Sequence, residues 1–345
     1  MKFLKWTGIA LLAVIAVALA VGFFLPRTVH VERTVVIARP QATVYAVVSD
    51  WRQFNEWSPW AEVDPDAEYT YEGEPGEVGS KMTWKGDGQA GTGSQEIIEA
   101  RPYERVVSRL VFGEDGEEGE AITAFTALEV DGGTELIWSF EYETGPAPWE
   151  RWFGLMMESM VGSEYEKGLE KLKAYVEDLP RADFAMLDAE IVDVEPMPVA
   201  YTTMRTAANP DAIGEGYQEG YEAVWAFMQE NELSPAGMPL GINTSSTEEE
   251  VVFDAAMPIS RGVPNPEDGP VKIGTTYGGK ALRAVHTGPY SGLEDSYAKI
   301  RAYMAAHRLE RNGRTWEHFV TDPGEVPESE LVTHIYVPVK QDAGG

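Results

Sequence analysis

The segment Arg314 to Pro323, RTWEHFVTDP, carries the first candidate for chemistry. Trp316, His318 and Val320 alternate with Thr315, Glu317, Phe319 and Thr321, the period of a β-strand, so Glu317 shares a face with Phe319. A carboxylate among such large side chains admits two readings. On the surface it is solvated and inert. Facing an aromatic hollow it is costly to desolvate, and a cationic ligand would repay that cost, each ring face adding about 0.5–2 kcal/mol by cation–π contact.

Other reactive side chains form no recognisable set. The five histidines, His30, His286, His307, His318 and His334, include no pair at the i, i+4 spacing with a helical glutamate that a zinc hydrolase needs, so no metal site is expected. His318 and His334 are expected as neighbours on paired strands, on the side opposite Glu317. There is no G-x-S-x-G elbow, and KGDG at 85–88 reads as a hairpin turn rather than a phosphate loop. GEDGEEGE at 113–120 reads as a solvated hairpin loop, because its acids lack calcium-loop spacing. The absence of cysteine excludes disulfides, thiol catalysis and Cys-ligated zinc. No cofactor is implied.

The elements that must position Glu317 belong to a chain of 345 residues, 43% hydrophobic and 11% aromatic, enough for two domains with separate cores. Lys plus Arg is 27 and Asp plus Glu is 57, a net charge of −30. Such a surface repels phosphate backbones, so no nucleic-acid partner is expected. Lys2 and Lys5 precede an apolar run from Trp6 to Leu25, closed by Pro26 and Arg27. The run predicts a single-pass transmembrane anchor over residues 1–27, with the membrane contacted through residues 6–25. The two lysines then leave the soluble part on the outer, periplasmic side of the cytoplasmic membrane. A signal peptide cleaved after Ala18-Leu19-Ala20 is the rival reading.

Residues 28–180 read as a strand (29–38), a short helix after Pro40, a Trp- and Pro-rich loop (DWRQFNEWSPWAEVDP), and strands at 68–71, 81–85, 93–100, 105–112, 121–130 and 134–143. A long helix over 149–177 follows, with Tyr165, Leu169, Leu172 and Val176 as its apolar stripe. The opening, VERTVVIARPQATVYAVVSDWRQFNEWSPWAEVDP, resembles the SRPBCC superfamily of polyketide-cyclase and START-related helix-grip proteins. That resemblance implies a curved sheet gripping the long helix around an apolar cavity, which Trp152, Met156 and Met160 would line.

Residues 186–340 read as two copies of one pattern. The first runs through a strand at 191–205, a helix at 210–231 with Ile213, Tyr217, Val224 and Met228 on one face, and strands at 239–243 and 251–257. The second has a strand at 280–286, a helix at 293–308 striped by Leu293, Ile300, Met304 and His307, and strands at 315–321 and 331–339. Two βαββ halves predict a pseudo-twofold α+β domain with a groove between its helices. VHTGPYSGLEDSYAKI, TWEHFVTDPGEVP and LVTHIYVPV, in that order, resemble the GyrI-like family, which also supplies the effector-binding domains of AraC-type and MerR-type regulators. The resemblance implies that Glu317 sits in an aromatic pocket for lipophilic cations, and it brings Tyr290 of the GPY turn to the site. Phe319, Tyr201, Tyr221, Trp225 and Tyr336 are further lining candidates.

The expected fold is therefore α+β: a helix-grip domain and a GyrI-like βαββ duplicate, preceded by one transmembrane helix. The expected function is that of a membrane-anchored small-molecule-binding protein, taking hydrophobic or cationic ligands in the GyrI-like pocket, with the START-like cavity as a further candidate ligand site. Some GyrI-like relatives are hydrolases, which gives an alternative: Glu317 as general base or nucleophile and Tyr290 as proton donor. No helix-turn-helix pattern or basic patch accompanies the domain, so the regulators' transcriptional role is not carried over.

Overall fold

The structure is a computed structural model that describes residues 2–86, 91–113 and 119–340. Residues 87, 88 and 114–118 of the two turns predicted above lie outside the described residues. The chain divides into two compact units between Ala185 and Met186.

The first unit contains helices α1 (Lys2–Gly22), α2 (Gln41–Val48), α3 (Trp51–Trp57) and α4 (Pro148–Asp178). Its strands are β1 (Thr28–Ile37), β2 (Glu68–Glu72), β3 (Lys81–Lys85), β4 (Thr92–Arg101), β5 (Arg105–Phe112), β6 (Gly119–Val130) and β7 (Gly133–Glu143). They form one antiparallel sheet in the order β1-β7-β6-β5-β4-β3-β2. Helix α4 starts at Pro148, which has no N–H to leave unpaired, and the Glu150 carboxylate accepts from the Ala147 N–H at 2.8 Å. The stripe Tyr165, Leu169, Leu172 and Val176 is buried in the core it shares with the sheet.

Three expectations are corrected here. Among the described residues no helix is long and apolar enough to cross a membrane, which overturns the transmembrane anchor and the single-pass periplasmic placement built on it. The C-terminal half of α1 lies beside α4, where Trp152 Nε1 donates to the Ala18 carbonyl at 2.9 Å. Second, the Trp-rich segment is not a loop. Asp50 caps α3 by accepting from the Arg52 N–H at 3.0 Å, and Trp51, Phe54 and Trp57 bury its inner face. Third, Trp152, Met156 and Met160 do not line an interior cavity: they are 39%, 61% and 64% exposed on α4. The interior is occupied by rings. Trp138 stacks on Tyr165 with centroids 3.7 Å apart, and Trp57, Trp60 and Phe125 close around Trp138.

The second unit holds β8 (Ala189–Val194), β9 (Pro198–Ala207), α5 (Pro210–Glu230), β10 (Leu240–Ser246), β11 (Glu250–Pro258), β12 (Val271–Thr275), β13 (Gly279–Thr287), α6 (Leu293–Ala306), β14 (Trp316–Phe319) and β15 (Val332–Pro338). The strand predicted at 191–205 is broken after Val194, where Pro196 has no N–H for a ladder, and its halves pair at opposite ends of the sheet. The order β12-β9-β11-β10-β14-β15-β13-β8 is symmetric about the β10–β14 seam. Each half contributes a helix to the same face. Gly220 lets α5 lie close on the sheet, since a Cβ there would stand 2.6 Å from the Ala255 Cβ. Helix α6 packs through Ile300 into a cluster with Leu282, Ala284, Ile335 and Val337.

Candidate ligand-binding site

Glu317 stands on the central seam, paired with Gly241 of β10 on one side and Ile335 of β15 on the other. Because Ile335 packs with α6, this parity turns the carboxylate toward the helices. Glu317 is only 5% exposed. Two residues beyond Gly241, Asn243 shares that face, and its Nδ2 donates to Glu317 Oε1 at 2.8 Å. The Tyr297 hydroxyl, from α6, also donates to Oε1. Oε2 is buried and has no hydrogen-bond partner. No ion pair reaches Glu317 among the described residues.

Arg314 fixes the strand that carries Asn243. Its guanidinium donates to the main-chain carbonyls of Ile242 and Asn243 at 3.0 and 3.1 Å and to the Thr244 hydroxyl at 2.6 Å. It is anchored in turn by the buried Asp254 carboxylate at 2.6 Å, which also accepts from the Thr203 hydroxyl at 2.7 Å. This clamp sits where the β10–β11 register shifts, between Asn243 and Ser245.

Around the carboxylate lies a cavity of about 970 Å³. Tyr217 and Tyr221 enter it from α5, Tyr297 from α6, Tyr290 from the turn before α6, and Phe253 and Phe319 from the sheet. Tyr217 packs on Phe253 with centroids 4.0 Å apart and meets Phe319 edge-on at 5.5 Å. Tyr290 meets the same Phe319 edge-on at 5.5 Å, and it stands at the rim. His286 steadies that turn: Nε2 donates to the Pro289 carbonyl at 3.1 Å, and Nδ1 meets the Ser296 hydroxyl at 2.9 Å. Gly241 is required beside Glu317, because a Cβ there would overlap the Tyr217 phenol.

Burial raises the Glu317 pKa above the usual carboxylate range, opposed by the hydrogen bonds from Tyr297 and Asn243. Burial, and then the nearby Glu317 charge, push the phenols of Tyr217, Tyr221 and Tyr297 well above their ordinary value, so these remain donors. The pocket thus offers a desolvated acceptor beside neutral phenols; Arg301, paired with Glu294, and Arg311, which donates to the Gly313 carbonyl, also stand in its wall.

Of the residues singled out in the sequence, Glu317, Tyr290, Phe319 and Tyr221 line the cavity. Tyr201 and Tyr336 do not. Tyr336 is paired with Trp316, one residue out of phase with Glu317, and stacks on it at 4.8 Å on the other side of the sheet, where Tyr201 joins the same cluster. Trp225 is 45% exposed on α5 and outside the cavity. His318 and His334 are paired across β14 and β15, and burial lowers the pKa of both. Four residues of the site as described were missed: Tyr217, Asn243, Phe253 and Tyr297. Tyr297 lies four residues after Leu293 and three before Ile300, in a gap of the stripe read for α6, so its placement was available from spacing.

A comparison with curated proteins finds no match. Solved structures similar to the chain include the EcmrR C-terminal domain (12% identity, TM-score 0.41, covering 45% of this chain and 99% of that one). A protein from Chromobacterium violaceum is 22% identical at a TM-score of 0.31, covering 44% of this chain and 99% of its own. A hydrolase from Listeria innocua is 14% identical at a TM-score of 0.33, covering 44% and 91%. Likenesses at these scores carry no argument about function. Family models are more informative: residues 28–177 match the model described as polyketide cyclase / dehydrase and lipid transport, and residues 187–340 match that of the GyrI-like small molecule binding domain. The chain is thus similar over its first unit to a family of polyketide cyclases and lipid carriers, and over its second to the GyrI-like small-molecule binders.

Proposed function

We propose that the second unit binds an amphipathic organic cation in the cavity around Glu317. One observation carries this reading: a carboxylate buried beneath phenol and phenyl rings, with no cation of the protein's own paired to it. A buried carboxylate without a paired counter-charge is costly, and a cationic guest relieves that cost. The rings supply apolar area and cation–π contact. Small-molecule binding by the matched GyrI-like family agrees with this. The first unit is given no ligand, because its interior is filled by stacked rings. The test is titration of the whole chain with a fluorescent lipophilic cation, beside Glu317→Gln. Saturable binding that the variant weakens by roughly tenfold or more supports the reading. Equal binding by both proteins, or none, ends it.

A hydrolytic reading draws on the upward shift of Glu317, which suits a general base. In that case Tyr297, hydrogen-bonded to the carboxylate, takes the donor role expected of Tyr290, which stands at the rim. Recovery of the bound probe unchanged after long incubation keeps the site a binder; a cleaved product shifts the assignment to hydrolysis.

A further inference from the structure

The two arginines in the wall of this cavity are used differently. Arg301, on α6, is spent on Glu294 at 2.7 Å, and both of those charges lie in the wall. Arg311, in the connection between α6 and β14, makes no ion pair among the described residues. Its Nε donates to the Gly313 carbonyl at 2.7 Å, which orients the guanidinium. The two terminal nitrogens form the fork that grips a carboxylate. They have no hydrogen-bond partner in the protein among the described residues. The side chain is exposed, so a ligand in the cavity can reach it.

An uncancelled positive charge in this wall is notable in a chain of net charge −30. Tyr297 lies within electrostatic reach of Arg311 and of Glu317, to which its hydroxyl donates. Burial and then Glu317 raise the Tyr297 phenol pKa, and Arg311 pulls it the other way. The remaining acid of the wall, Asp322, acts on Tyr290 at the rim, where burial and then its charge raise the phenol. A ligand that is only a cation is favoured by Glu317 and opposed by Arg311. One that also carries an anionic group is favoured by both.

We infer that the ligand class of this pocket is a zwitterion: an apolar or aromatic body with a cationic group on the side of Glu317 and a carboxylate held by the Arg311 guanidinium. This inference rests on the reading of the cavity as a cation site and adds a second charge to it. It requires no ligand atom against the closed Oε2 of Glu317, because opposite charges attract across a gap in a cavity of low polarity.

The experiment titrates the full chain at pH 7 with a matched fluorescent pair. Rhodamine B is a xanthylium cation that carries a free carboxylate; its ethyl ester is the same cation with that carboxylate masked. The chain's net charge and the added ethyl group both favour the ester, so neither accounts for a preference for the free acid. The expected result is that rhodamine B binds at least about threefold more tightly and that Arg311→Gln removes this advantage without weakening the ester. Raising salt from about 50 mM to about 500 mM should shrink the advantage in the wild type. Equal affinities, or tighter binding of the ester, overturn the inference while leaving the cation site standing. An advantage that survives in Arg311→Gln, or that salt leaves unchanged, also overturns it, because the carboxylate is then read elsewhere. If neither dye binds, the cation site itself falls and takes the inference with it. The wild-type pair and its salt dependence decide the matter even if the variant fails to fold.

Discussion

Each unit of this protein gathers aromatic residues between a sheet and its helices, and the two do opposite things with them. In the first, Trp57, Trp60, Phe125, Trp138 and Tyr165 meet one another, and their polar atoms are partly absorbed: Trp138 Nε1 donates to the Thr123 hydroxyl at 3.1 Å. In the second, Tyr217, Tyr221, Tyr290 and Tyr297 stand back around a space with a carboxylate at its base. Ring content alone therefore does not mark a ligand pocket. What differs is whether a buried charge sits among the rings without a counter-charge, and whether the rings belong to elements held apart by other contacts.

The sharpest way to break this contrast is Trp138→Ala. If the first unit's rings are core, the change costs about 3–5 kcal/mol of that unit's stability in urea unfolding and leaves cation affinity unchanged. A small stability loss with altered binding would make that interior a ligand site after all. Next in size is Gly241→Ala, which drives a methyl group into the Tyr217 phenol. It is expected to cost about 1–3 kcal/mol, read as weaker binding of the fluorescent cation together with a lower melting temperature.

Smaller still is the pH effect of Glu317. Its pKa is raised on folding, so the folded state keeps a proton that the unfolded chain releases. Its contribution to stability is complete below the ordinary carboxylate pKa and is lost as pH rises through the folded value, with a slope of at most about 1.4 kcal/mol per pH unit. Glu317→Gln should remove that decline in unfolding curves taken across the window, and so be the more stable protein above it. A bound cation needs the charged form, so affinity for a permanently charged probe should rise over the same window in the wild type and stay flat in the variant. Smallest is Trp225→Ala. With this residue half exposed and outside the cavity, both stability and affinity should change by no more than about 0.5 kcal/mol.

Much of this arrangement could be read from residue spacing, and the misses have physical causes. Strands such as Lys81–Lys85 and Arg105–Phe112 were bounded by turn residues, and they stand where expected. The phase of RTWEHFVTDP put Glu317 and Phe319 together, and both line the cavity. Tyr336 and Tyr201 were assigned to the wrong side because alternation within a strand says nothing of its phase against a neighbour until the register is known. Once Trp316 pairs with Tyr336, that ring is excluded from the face of Glu317. Asn243 carried no signal of its own: its role depends on β10 meeting β14, a pairing between residues far apart in the chain. Tyr217 was seen as part of an apolar helical stripe, and a stripe cannot distinguish a ring that touches other rings from one that borders a space. The N-terminal run shows the limit of hydropathy: apolar residues were counted, but the contact of α1 with α4 was not foreseeable from them.

The Arg314 clamp has a consequence for how such a pocket could diversify. Apart from Thr244, what it holds on β10 are the main-chain carbonyls of Ile242 and Asn243. A main-chain grip is indifferent to the side chain it carries. Position 243 can therefore be exchanged in a combinatorial library without loosening the strand beneath it, which makes it the natural dial for retuning ligand preference on an unchanged scaffold.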